Sequence, residues 1–174
     1  MSKEMIMEKI DQAVKILNEK DIDIWMTYVR ETGNIKDPMM DMIVGIGIDI
    51  VNIQRIESLM VRWGNLFLSR VFTEGEIRWC QKRTRPQECF AIRFAAKEAF
   101  LKSIGLGLRN GIQWIDIEVE NDPMGKPLLS LHRKAKEVLQ IRRIEKALLT
   151  LSHERSYAVA QVLLEGKNDE SGNR

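Results

Sequence analysis

The sequence predicts an α+β fold, an antiparallel sheet with helices packed on it. Three observations carry the prediction. Two pairs of period-two apolar runs are joined by short polar links, and strands joined that way are antiparallel hairpins. Helical runs separate these pairs instead of alternating singly with strands, which is the pattern of α+β and not of a wound parallel sheet. The 174 residues, 44% of them apolar, are enough for one domain with a real core.

Residues 4–19 set Ile6, Ile10, Ala13 and Leu17 at helical spacing, an amphipathic helix. "DIDIWMTYV" has strand character, and "TGNIKDPMM" is a loop punctuated by Gly33 and Pro38. A boundary near Asp41 follows. Residues 1–41, an N-terminal extension, carry six Lys/Arg against nine Asp/Glu, although the whole chain is at +2.

Residues 43–51 alternate Ile46, Ile48 and Ile50 with Gly45, Gly47 and Asp49, a strand. Its isoleucine face is expected to join a core. Its bare glycine face is expected to admit the close approach of another element or subunit. A helix over 53–70 turns Ile56, Leu59, Met60, Trp63 and Phe67 inward. Thr73 and Glu76 have the spacing of a capping box for a short helix. Pro86 suits the first turn of a long helix that ends at Gly105.

"WIDIEVE" alternates with Ile115, Ile117 and Val119 inward, "NDPMGKP" turns the chain, and "LLSL" pairs back. "HRKAKEVLQIRR" is a helix. "ALLTLS" and "YAVAQVLLE" are strands joined by "HERS". The main order is β-α-α-β-β-α-β-β. The folded domain is expected over 42–165, with a frayed polar tail over 166–174.

No apolar run is long enough to cross a bilayer, and the charged N-terminus lacks a signal-peptide core. No membrane partner is expected, and a cytoplasmic location is. Cys80 and Cys89 are too few for a disulfide framework or a four-ligand zinc site, so they read as small apolar residues. The basic clusters "RWCQKRTRPQ" and "HRKAKEVLQIRRIEK" suit phosphates or an acidic protein. No nucleic-acid partner is expected.

Asp49, beside the glycines, and Glu98, mid-helix in "RFAAKEAF", are the first candidates for chemistry. A carboxylate on a partly apolar helix face is costly unless paired. Two carboxylates with few other ligands suit Mg²⁺, which keeps waters and takes substrate phosphates. The alternative is a strand-end aspartate and a Glu98–Lys102 pair within one helix. Arg93, Lys97 and Lys102 form a basic ladder on the same helix, either a diphosphate clamp or a solvated face. The glycine-rich "GLGLRNG" and "MGKP" loops match no phosphate-loop pattern. His153 reads as an exposed turn histidine and His132 as a surface one.

Taken in order, "GIGIDIVNIQRIE", "RFAAKEAFLKSIGLG", "GIQWIDIEVENDPMGKPLLSL" and "LSHERSYAVAQVLLE" resemble the holo-acyl-carrier-protein synthase family, single-module 4′-phosphopantetheinyl transferases. The resemblance covers roughly residues 42 to 165. It implies transfer of phosphopantetheine from coenzyme A to a serine of an acidic apo-acyl carrier protein, with release of 3′,5′-ADP, in fatty acid biosynthesis. It implies Asp49 and Glu98 as Mg²⁺ ligands and Lys102 near the transferred phosphate. It implies Arg93, Gly125, Lys126 and Pro127 around the coenzyme, with His153 close by in an open role. The proton acceptor is open between Glu98 and a water. An α+β homotrimer with sites between subunits is implied. Arg55, Arg62 and Arg70, beside Leu59, Met60 and Phe67, offer the carrier a docking surface. The competing reading is a non-catalytic module that binds coenzyme A or a carrier protein. The extension over 1–41 has no counterpart in the family; it faintly resembles the start of creatinase-type peptidase domains but carries no metal ligands.

Overall fold

A computed structural model describes residues 42–166. The readings made for residues 1–41, and for the tail beyond 166, lie outside the described residues. The elements are β1 (Met42–Asn52), α1 (Ile53–Val71), α2 (Glu74–Gln81), α3 (Pro86–Ser103), a 3₁₀ turn (Trp114–Asp116), β2 (Ile117–Asn121), β3 (Pro127–Leu131), α4 (Arg133–Ile141), β4 (Ile144–Glu154) and β5 (Tyr157–Gly166). Three strands form one antiparallel sheet in the order β1-β5-β4, and β2 with β3 forms a separate hairpin. The α+β architecture is the one expected.

The local signals explain these elements. Asn52 caps α1 through its side chain, which accepts from the Arg55 N–H. Thr73 and Glu76 complete the capping box in both directions. Pro86 occupies the first turn of α3, and Gly105 follows that helix at φ +66°. Three local readings change. Trp63, expected to face inward, is half exposed. α1 is broken at Gly64 (φ 49°, ψ −129°), a conformation that favours glycine. β2 starts at Ile117, because the buried Asp116 carboxylate folds back onto the Gln113 N–H and closes a 3₁₀ turn before it.

The faces of β1 are the reverse of the expectation. Gly45, Gly47, Asp49 and Val51 lie in register with Leu164, Val162, Ala160 and Ala158 of β5. These four β5 residues are buried beneath α3. A Cβ on Gly47 would lie 2.0 Å from the Ala99 carbonyl oxygen and 2.6 Å from the Ser103 N. A Cβ on Gly45 would lie 2.3 Å from the Ser103 carbonyl oxygen. The glycines are bare because the backbone of α3 occupies the space that side chains would need. Ala91, Ala95, Ala96 and Ala99 are fully buried along that helix, so small residues on both partners bring the backbones together. The isoleucine face points away from this core, with Ile46 60% and Ile48 56% exposed. Gly47→Ala should therefore cost more than the ~1–3 kcal/mol usual for overpacking, since backbone and not a side chain must yield. Its denaturant midpoint, against wild type at an unchanged m-value, measures this.

Cys80 and Cys89 are joined in a disulfide, with Cα atoms 5.4 Å apart, which ties α2 to the start of α3. This corrects their reading as independent apolar residues. Helical spacing in this segment carries no sign that the short link between α2 and α3 brings the two cysteines together.

Candidate active site

Asp49 reaches the site because the inner face of β1 has no larger side chain ahead of it, and α3 lies over that face. Glu98 and Lys102 stand one turn apart on α3. The Lys102 ammonium donates to Asp49 Oδ1 at 2.6 Å and to the Ile48 carbonyl at 3.2 Å. The lysine thus crosses to β1 instead of closing a pair with Glu98. Asp49 is 13% exposed and Lys102 53%, so the ion pair sits at the mouth of the site. Burial pushes the Glu98 carboxyl above its ordinary value, and the Asp49 charge pushes it further; Lys102 and Arg55 pull the other way. Four charged groups from three elements therefore share one field. Arg55, which the resemblance assigns to the carrier-docking surface, acts on Glu98 and belongs to this group.

The donor set fits a magnesium ion. Two carboxylates are held in each other's field at a partly desolvated mouth, where their repulsion is what a divalent cation relieves. Among the described residues no cluster of three or more His, Cys, Asp or Glu is present, so a cation here would rely on water or substrate oxygens for its other positions.

The basic ladder is not a solvated face. Lys97 is fully buried; its ammonium meets Glu76 Oε2 at 2.7 Å and the Trp114 carbonyl at 3.0 Å. It also donates to the Ile117 carbonyl at 2.5 Å. Desolvation lowers its pKa, and Glu76 opposes that shift. Arg93 is 4% exposed. Its guanidinium donates to Cys89 Sγ and to Asn121 Oδ1, each at 3.0 Å, and its Nε is buried with no acceptor among the described residues. Of the three cations only Lys102 is free to reach a ligand at the mouth.

The remaining candidates lie elsewhere on the chain. Gly125, Lys126 and Pro127 close the β2–β3 hairpin, with Gly125 at φ +90°. Asp122 Oδ1 accepts from the Met124 and Lys126 N–H groups, both at 2.8 Å. His153 is about half exposed and lies 3.7 Å from Glu88 on the first turn of α3. Glu88 and Glu98 are ten residues apart on one helix, roughly 15 Å along its axis. Arg93 and Glu98 are five residues apart, about 140° around it. One chain thus brings Asp49, Glu98, Lys102 and Arg55 together, whereas Arg93, the β2–β3 turn it meets through Asn121, and His153 of β4 lie toward the N-terminal part of α3. His132 meets Glu118 at 2.9 Å and is structural. Asn121, which joins Arg93 to the turn, was missed; a polar residue ending an alternating strand before a glycine turn was its only signal.

Residues 45–162 match a family profile described as the 4′-phosphopantetheinyl transferase superfamily. A holo-acyl-carrier-protein synthase of Syntrophus aciditrophicus is 50% identical over 128 residues, 74% of this chain and all of the relative. The crystal structure of the Neisseria meningitidis holo-acyl-carrier-protein synthase superposes with a TM-score of 0.67 at 35% identity, covering 71% of this chain and 99% of that one. The Helicobacter pylori holo-acyl-carrier-protein synthase in complex with coenzyme A gives a TM-score of 0.61 at 33% identity, over 68% of this chain and 98% of that one.

Proposed function

The chain belongs to the holo-acyl-carrier-protein synthase family of 4′-phosphopantetheinyl transferases, and from that premise we propose how its site works. It is an enzyme that transfers phosphopantetheine from coenzyme A to acyl carrier protein. In our reading Asp49 and Glu98 would hold Mg²⁺, with coenzyme A as the phosphate substrate. When bound, the ion neutralises the coenzyme diphosphate and polarises the phosphorus for attack. The observation that carries the reading is the convergence of two like charges, from β1 and α3, with one mobile cation on Asp49.

The chain's own groups then have distinct tasks. Lys102 leaves Asp49 and follows the negative charge that builds up on the departing phosphate. Burial and the Asp49 charge disfavour ionised Glu98, and a cation held between the two carboxylates would offset both. The carrier serine oxygen bonds to the β-phosphorus of coenzyme A and the bond to the bridging oxygen breaks. The serine proton passes to Glu98 or to a water, and 3′,5′-ADP departs with the electron pair. The test is purified chain with coenzyme A, an apo-carrier protein and Mg²⁺. We expect the carrier to gain phosphopantetheine by mass and 3′,5′-ADP to appear in equal amount, and both to stop with EDTA. Transfer at full rate without a divalent ion would overturn the metal assignment. A non-catalytic binding module does not fit a chain whose curated relatives are synthases. Fatty acid biosynthesis as the pathway and a cytoplasmic location are part of the same reading; among the described residues no helix is long and apolar enough to cross a membrane.

The same reading includes a homotrimer. Ile43, Ile46, Ile48, Ile50 and Leu148 are exposed on the outer face of the sheet, a contiguous apolar surface of the kind that marks association. The separation of Asp49 and Glu98 from Arg93, the 125–127 turn and His153 supports sites completed across subunits. We expect sedimentation as a trimer, and Ile48→Glu to give an inactive monomer; a fully active monomer would overturn it.

Carrier docking is assigned to α1. Around the break at Gly64, Val61 and Leu66 are exposed, and the Arg62 guanidinium lies 5.1 Å from the Trp63 ring centroid. Arg62→Glu should raise the KM for the carrier severalfold, with a salt dependence flatter than wild type and an unchanged coenzyme KM. Arg55→Glu should change both constants, since Arg55 acts on Glu98.

A further inference from the structure

We propose that Asn121 is a positioning residue, which with buried Arg93 fixes the 125–127 turn to the helix that carries Glu98. The proposal rests on the reading that this turn lines the coenzyme site.

The turn has two sets of hydrogen bonds with different consequences. Its shape comes from Asp122. The Asp122 carboxylate accepts from the Met124 and Lys126 N–H groups, and its backbone exchanges bonds with Lys126 and Gly125 at 2.9 Å each. None of these contacts ties the turn to the rest of the molecule. Its position comes from Asn121. The Asn121 amide donates to the Gly125 carbonyl at 3.0 Å, and its Oδ1 accepts from Arg93 Nη2 at 3.0 Å. Asn121 thus bonds the glycine of the turn on one side and α3 on the other.

Arg93 is suited to be the fixed end of this relay. Its side chain is packed into the interior, and the Cys89 sulfur takes a second fork of the guanidinium at 3.0 Å. Cys89 is itself bonded to Cys80, so α2 and α3 hold that fork from behind. Glu76, the one carboxylate whose charge acts on Arg93, has its oxygens engaged by Lys97, Thr73 and Val119. Among the described residues, Asn121 is therefore the acceptor for the outer fork of Arg93. A planar guanidinium with its stem packed cannot swing to follow a moving turn. The turn is held where α3 puts it, and because α3 also carries Glu98, one helix sets the place of the turn relative to a site completed across subunits. Positional control of this kind acts on how well a bound phosphate compound is oriented, and not on the reacting atoms.

The test is steady-state kinetics of the full chain with coenzyme A and an apo-carrier protein, together with thermal melting. Three variants are needed: Asn121→Ala, Asn121→Asp and Lys126→Ala. Asn121→Ala should raise the coenzyme KM roughly fivefold, the size of one net hydrogen bond, with kcat within about twofold of wild type. Asn121→Asp keeps an acceptor for Arg93 but cannot donate to Gly125. It should recover the melting temperature and not the KM, a split that a merely structural role for the Arg93 contact would not produce. Recovery of both by Asn121→Asp would show that pairing the buried cation is all that matters, and would overturn the proposal. A wild-type KM in Asn121→Ala with a raised KM in Lys126→Ala would overturn it while leaving the coenzyme reading in place. Wild-type KM in both variants would remove the turn from the coenzyme site, and the proposal with it.

Discussion

Glu98→Gln should lower the rate of phosphopantetheine transfer by about a thousandfold at saturating substrates, the scale of several kcal/mol of lost transition-state stabilisation. The substitution keeps the size of the side chain and removes its charge. Asp49→Asn should act comparably, and it should also release Lys102 from its 2.6 Å contact. Stability should move the other way. In the folded chain burial and the Asp49 charge both work against ionised Glu98. The folded state therefore binds this proton more tightly than the unfolded chain does. As pH rises from the ordinary glutamate value through the raised folded value, the wild type loses stability that it had while Glu98 was protonated. Glu98→Gln should lack that decline. Denaturation midpoints for wild type and variant across the weakly acidic range measure this directly. A variant that is inactive yet equally or more stable above that range is the expected result. Retention of wild-type turnover, or a loss of activity explained by unfolding, would remove Glu98 from the site.

What the sequence allowed to be read, and what it did not, follows from the range of each signal. Capping and turn chemistry act within a few residues, so the Thr73–Glu76 box, Pro86 and the two hairpins were legible. Alternation identified β1 as a strand but could not say which face lay inward. An isoleucine row looks like core, yet here the glycine row is the packed one, because Ala99 and Ser103 of a helix fifty residues away come against it. The clue was present on the partner: four buried alanines in α3 signal close backbone approach. The same helix misled the reading of its cations. Arg93 and Lys97 read as either a diphosphate clamp or a solvated face, and neither reading buries them, because lysine and arginine are rarely buried without a partner. The partners, Glu76 and Asn121, come from other elements and are invisible to helical spacing. Asp49 and Glu98 were legible as a pair by motif, and their mutual field is what the fold adds.

Lys97→Met should destabilise the chain by about 3–5 kcal/mol, the cost of leaving a buried charge without its partner. Both members of the Lys97–Glu76 pair are fully buried, and the ammonium lies between Glu76 and two backbone carbonyls. Methionine fills most of the lysine volume, so the loss is electrostatic and not a cavity. Glu76 would keep the Thr73 and Val119 N–H groups, which hold its carboxylate in place at 2.9 and 3.0 Å but do not neutralise it. Adding Glu76→Gln should recover only part of the loss. The amide nitrogen would face the Thr73 N–H or the Val119 N–H, so one of the two donors loses its acceptor. The pH dependence has a definite sign. Desolvation holds the Lys97 pKa below 10.5, so the folded chain binds this proton less tightly than the unfolded one. Stability contributed by the site therefore rises with pH between the lowered folded value and 10.5, and it is flat below that window. Wild-type stability measured by urea across the alkaline range should rise relative to the Lys97→Met, Glu76→Gln double variant. A single variant as stable as wild type at neutral pH would mean that Glu76 takes up a proton at little cost once its partner is gone. The pair would then not be what fastens α2 to α3.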